Sequence, residues 1–188
     1  LPQDFDFGSF THGSYGRTPN DRTHQIKIFG NYAVNDNFRL GATANITSGR
    51  ATSCIGFVPT TVSDFYGPGG GTWGGSGGYT SPSSYYCLND QGISVLGHRG
   101  NGKQLPWSNT FNLDMSYIIK LANKQSITLQ AKIYNLFNSS TVLSINQVRD
   151  YSRDTNQNAS GNKLNPNYQQ ANGFQDPRRL SLQARYEF

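Results

Sequence analysis

Five stretches of this chain alternate apolar and polar side chains with a period of two. In the first, Ile26, Ile28, Gly30, Tyr32 and Val34 alternate with Gln25, Lys27, Phe29, Asn31 and Ala33. In the second, Phe38, Leu40, Ala42, Ala44 and Ile46 alternate with Arg39, Gly41, Thr43, Asn45 and Thr47. The third sets Phe111, Leu113, Met115, Tyr117, Ile119 and Leu121 against Asn112, Asp114, Ser116, Ile118 and Lys120. The fourth sets Ile127, Leu129, Ala131 and Ile133 against Thr128, Gln130, Lys132 and Tyr134. The last runs from Arg178 to the end, with Leu180, Leu182, Ala184, Tyr186 and Phe188 opposite Arg179, Ser181, Gln183, Arg185 and Glu187. Such alternation predicts strands with one greasy and one wet face. An eleven-residue strand rises about 36 Å, and a tilt of about 40° brings its span to about 28 Å, near the roughly 25 Å apolar band of an outer-membrane barrel. Tyr186 and Phe188 end the chain in register with the greasy face, where an aromatic girdle and a C-terminal assembly signal belong.

The connections alternate between short and long. Asn35-Asp36-Asn37 joins the first two strands, and a stretch around Ala122-Asn123-Lys124-Gln125 joins the third and fourth. Loops of about 49–107 and 139–177 fill the other gaps. Outer-membrane barrels show this asymmetry, with short periplasmic turns and long extracellular loops. Residues before Asp21 then read as the end of a further outer loop, and Phe188 ends on the periplasmic side. The fold class expected is all-β, a transmembrane antiparallel β-barrel. Five strands cannot close one, and an open sheet would leave two exposed edges. The missing strands are expected from upstream sequence or another chain.

Composition narrows the classes. Gly (21), Tyr (11) and Phe (11) are abundant in the 188 residues, as strands and long loops require. No run of ~20 apolar residues is present, which excludes a transmembrane helix but not membrane strands. With no start Met and no signal peptide, Leu1 is expected to lie inside a longer polypeptide, of which residues 1–188 form a C-terminal portion. Cys54 and Cys87 are expected to pair as a disulfide closing a surface loop in an oxidising compartment.

No enzyme constellation emerges, and no catalysis, cofactor, metal or nucleic-acid partner is expected. His12, His24 and His98 lack ligand spacing, and Asp4 and Asp6 read as a solvated loop or strand face. Three matches to the glycosylation pattern, at 45–47, 138–140 and 158–160, read as chance. The glycines at 67, 69, 70, 71, 74, 75, 77 and 78 have no Lys-Ser/Thr after them and read as a flexible tip. On the wet faces stand Lys27, Arg39, Lys120, Lys132, Arg179 and Arg185, against Asp114 and Glu187. This set is expected to face a lumen, either as an electropositive wall for anionic cargo or in ion pairs across strands and with a plug. The loops are rich in aromatic residues, which with Ser, Gly and Asn make adaptable contact surfaces. Trp73, Tyr79, Tyr85, Tyr86 and Trp107 in the first loop, and Tyr151 with Arg149 and Arg153 in the second, are the candidate ligand-capture residues.

The tail from Asp176 through Phe188 resembles the closing strand of TonB-dependent outer-membrane receptors. Ile133-Tyr134-Asn135-Leu136-Phe137-Asn138 resembles the NLFN signature at the end of their penultimate strand. Gly13-Ser14-Tyr15-Gly16-Arg17, Asp21-Arg22-Thr23-His24-Gln25 and the Ser48-Gly49-Arg50 exit into a Cys-bearing loop are similar to the Oar-like subgroup. The resemblance implies a 22-stranded barrel in the bacterial outer membrane, occluded by a plug that lies outside this chain. It also implies a TonB box coupled to the inner-membrane TonB–ExbB–ExbD machinery. The function implied is active uptake of an extracellular ligand, with this chain giving the closing strands and two capture loops. Its partners would be outer-membrane lipid, the rest of the barrel and the plug. Two other readings compete: a passive porin or surface adhesin barrel, and a soluble carbohydrate-binding β-sandwich. The sandwich requires a second sheet covering the greasy face.

Overall fold

The computed structural model describes residues 11–59, 62–64, 67–68, 84–123, 125–152 and 163–188. Every named element among them is a strand. Five long strands follow the alternating stretches closely: β1 (Gln25–Ala33), β2 (Phe38–Thr47), β7 (Ser108–Lys120), β8 (Ser126–Tyr134) and β13 (Arg179–Glu187). They form one antiparallel sheet in the order β1-β2-β7-β8-β13, so each strand pairs with its sequence neighbours among the five. The intervening segments carry short strands not evident from the sequence. In the first they are β3 (Ser63–Asp64), β4 (Gly67–Pro68), β5 (Tyr86–Leu88) and β6 (Ser94–Leu96). In the second they are β9 (Val142–Ile145), β10 (Asp150–Ser152), β11 (Lys163–Leu164) and β12 (Ala171–Phe174).

Register carries the alternation across the whole sheet. Gly30 faces Ala42, Ala42 faces Leu113, Leu113 faces Ile133, and Ile133 faces Leu180. One row along, Tyr32, Leu40, Met115, Ala131 and Leu182 align in the same way. A one-residue slip would turn any strand's greasy row to the opposite side, so this agreement across four pairings fixes a single apolar face. Nothing among the described residues covers it: Leu182 is 73% exposed, and Ile28, Tyr32 and Leu180 are exposed too. The second sheet that a soluble sandwich needs is absent among the described residues.

The two tight turns are built by asparagine. Asn35 Oδ1 accepts the backbone N–H groups of Asn37 and Phe38 at 2.9 and 2.7 Å. Asn123 takes a left-handed φ of 61°, which asparagine tolerates better than most residues. A third asparagine holds the upper corner of the sheet. Asn135 is buried at φ 51°. Its backbone N–H donates to Asn112 Oδ1 at 3.0 Å, and its side-chain amide donates to the carbonyls of Ser139 and Asp176 at 2.9 and 2.7 Å. Its Oδ1 accepts the Ser139 N–H at 2.9 Å. Asn138, also left-handed at φ 53°, accepts the Arg178 N–H at 2.9 Å. The NLFN segment is thus a corner that ties β7, the end of β8 and the lead into β13. Asn135→Ala removes these side-chain bonds and strains the backbone, and is expected to cost about 2–3 kcal/mol. Asn135→Gly relieves only the strain, so denaturant unfolding of the two variants should rank wild type above Gly and Gly above Ala.

The chain divides into two compact units. One holds the five-stranded sheet, in residues 22–49, 106–143 and 174–188. The other gathers residues 1–21, 50–105 and 144–173.

Candidate functional site

Residues from both long loops build the second unit together, where the sequence suggested two separate loops. Ile55 forms an isolated parallel bridge with Val148: Ile55 N–H donates to the Gln147 carbonyl at 3.0 Å and Arg149 N–H to the Ile55 carbonyl at 2.9 Å. Gly56 and Ser84 exchange backbone hydrogen bonds at 3.1 Å each. Three segments therefore run side by side, at 53–58, 84–88 and 147–150. Cys54 and Cys87 are joined by a disulfide with Cα atoms 6.0 Å apart, as the sequence predicted.

Asp150 is the group that clasps this body. It is 0% exposed, and its two carboxylate oxygens accept the N–H groups of Phe57 at 3.0 Å and Leu88 at 3.1 Å. One carboxylate from the second loop thus fastens both arms of the disulfide-closed first loop. Gly56 leaves room for it, since an added Cβ would collide with the carboxylate and with the Tyr86 carbonyl. Burial pushes the Asp150 pKa up; the N–H groups of Leu88 and Phe57 and the charge of Arg149 oppose that rise without cancelling it. Nothing in the sequence singled out Asp150, a lone carboxylate in an aperiodic segment. The disulfide acts alongside it. Across a separation of 33 residues the crosslink removes on the order of 4 kcal/mol of loop entropy from the open ensemble. Cys54→Ser is expected to raise the rate of proteolysis between residues 57 and 86 while sparing the long strands.

The candidate capture residues take different places. Tyr86 is buried against Val58, and its hydroxyl is 2.9 Å from His12 Nδ1, which makes it a core residue of the loop body rather than part of its surface. Tyr85 is half-buried; its hydroxyl accepts from Arg99 Nε at 2.9 Å, and the guanidinium lies 5.8 Å from its ring centre. Arg149 is paired with Asp90 and lies over the Tyr168 ring at 5.1 Å. Trp107 belongs to the sheet unit and stacks on His24 at 5.9 Å. Tyr151 is placed by its backbone in β10. Trp73, Tyr79 and Arg153 lie outside the described residues, as do Asp4, Asp6 and the glycines from 69 to 78. His98 stacks with Tyr15 at 5.2 Å.

The sheet register puts Lys27, Arg39, Asp114, Lys120, Lys132, Arg179 and Arg185 on its wet face, opposite the apolar rows. Some are paired there: Lys132 with its register partner Asp114 at 3.4 Å, and Arg185 with Glu187 at 2.9 Å. Arg179 lies over the Tyr134 ring at 4.6 Å. Lys27, Arg39 and Lys120 have no ion pair among the described residues. Phe29 breaks the pattern on this face, 82% exposed beside a recess of about 410 Å³ that Asn31, Asn112, Asp114 and Lys132 help to line. At the terminus Tyr186 and Phe188 stack at 6.2 Å, with Phe188 fully exposed. Among the described residues no group of His, Cys, Asp and Glu is placed to hold a metal ion.

No family model matches this chain, and no solved structure matches it. It is 25% identical over 146 residues to the TonB-dependent transporter Oar of Myxococcus xanthus. That stretch is 77% of this chain and 11% of the relative, so the chain spans only about a tenth of the relative's length. The likeness supports a distant relationship between this region and TonB-dependent transporters.

Proposed function

We propose that this chain forms the last five strands and two outer loops of an outer-membrane β-barrel of the Oar-like kind, whose plug and remaining strands lie elsewhere, with 22 strands in all. In this reading the barrel takes up an extracellular ligand by TonB-dependent active transport. The outer membrane has no ATP and no ion gradient, so the work comes from the TonB–ExbB–ExbD machinery of the inner membrane. The apolar rows contact lipid, the wet face lines the interior, and the loop body captures the ligand. Tyr186 and Phe188 guide assembly, and the chain catalyses no reaction.

The observation behind this is the single apolar face that runs uncovered across all five strands. Water cannot stabilise so large an exposed patch, and acyl chains can. The strands are 9 to 13 residues long, the length that crosses a bilayer when tilted. Deleting the segment between Cys54 and Cys87 from the full protein tests the capture role. High-affinity uptake should fall to background while the barrel still assembles; unchanged uptake removes the loop from that role. Abolishing the proton-motive force separates active transport, which stops, from passive diffusion, which continues.

A further inference from the structure

The wet face of the sheet has a second recess, near the start of β13 and about 710 Å³ in volume, within the size range of small-molecule sites. Two arginines line it and offer donors to an anion, against one carboxylate, that of Asp176. Arg179 and Tyr134 are register partners, and the guanidinium lies 4.6 Å from the ring centre. A guanidinium over a ring still has N–H donors for a partner, in the fork geometry that matches paired carboxylate or phosphate oxygens. Arg178 lines the same recess. Neither arginine has a carboxylate within ion-pair distance among the described residues, whereas Lys132 and Arg185 on this face are already paired.

The neighbouring donors are committed. Gln175 Nε2 donates to the Asn109 carbonyl at 2.8 Å and to Thr110 Oγ1 at 2.9 Å. The Asn135 amide is spent on Ser139 and Asp176. The two guanidiniums are therefore the strong donors left to a ligand, while Leu143 and Phe174 supply an apolar wall.

We propose that this recess binds the anionic group of a sugar-sized ligand: a carboxylate or phosphate on a body with an apolar side. The inference rests on the reading of the wet face as the path of the cargo, and names the chemistry that path selects. The test is calorimetric titration of the full-length protein in detergent with glucuronate, glucose 6-phosphate and glucose. At least one of the two anions should bind about tenfold or more tighter than glucose, and the better one tells carboxylate from phosphate. Arg179→Gln should remove that preference; Arg179→Lys should restore part of it. Glucose binding as tightly as both anions would overturn the proposal, as would an Arg179→Gln protein that titrates like wild type. The three-way comparison on wild type decides the matter even where the variant fails to fold. Binding is read here without TonB, so anion selectivity without energised uptake would count against transport alone, and energised uptake without anion selectivity against this recess alone.

Discussion

Asp150→Ala is expected to unfold the loop body while the five-stranded sheet persists. The substitution leaves the N–H groups of Phe57 and Leu88 without an acceptor in a site closed to water. Each orphaned buried donor costs about 1–3 kcal/mol, so the pair costs about 2–6 kcal/mol, on the scale of the whole stability of a small domain. Hydrogen exchange of the full protein should show protection lost around 55–58 and 84–88 and retained in β7 and β8. Wild-type protection in the variant would mean that the clasp does not hold the loops. The same carboxylate sets a pH dependence. Its folded pKa is raised, by burial above all, so the folded body binds the proton more tightly than the unfolded chain does. That contribution is fully present below the ordinary carboxylate value of about 3.9 and is lost as pH rises through the raised folded value. Loop protection, corrected for intrinsic exchange, should therefore decline across that window in wild type. Asp150→Ala should abolish the decline.

The second large effect concerns the greasy face. Leu182 stands near the middle of β13, and Gln183 beside it points to the opposite side. An arginine in contact with lipid near the bilayer midplane costs about 2–4 kcal/mol, and far less where it meets water. Leu182→Arg is expected to reduce the folded, heat-modifiable barrel in outer-membrane fractions several-fold. Gln183→Arg should assemble like wild type. Equal assembly of the two would remove the distinction between the faces.

Much of the sheet was legible because its rule is local. A strand with one wet side writes its orientation into every second residue, and Asn35 marks a turn by its own chemistry. The pairing of Cys54 with Cys87 followed from there being only two cysteines. Long-range polar contacts leave no such trace. Asp150 reaches Phe57 across 93 residues of sequence, and no period or motif announces it. The same holds for Tyr86, whose ring looks like any other loop aromatic until Val58 and His12 are found around it. Asn135 is an intermediate case: the NLFN signature was visible, but the hydrogen bonds that make it a corner were not. Phe29 shows a limit of another kind: alternation put it on the wet face, but nothing in the strand pattern showed the recess beside it.

Spin labels placed one at a time on Met115, Leu129 and Leu182, and on their neighbours Ser116, Gln130 and Gln183, address the two faces directly. With the full protein in lipid bilayers, the first three labels should relax preferentially with dissolved oxygen, as sites facing acyl chains do. The second three should relax preferentially with a water-soluble nickel chelate. Both sets responding alike to the chelate, or the two sets exchanged, would contradict the assignment of the apolar rows to lipid and the transporter reading built on it.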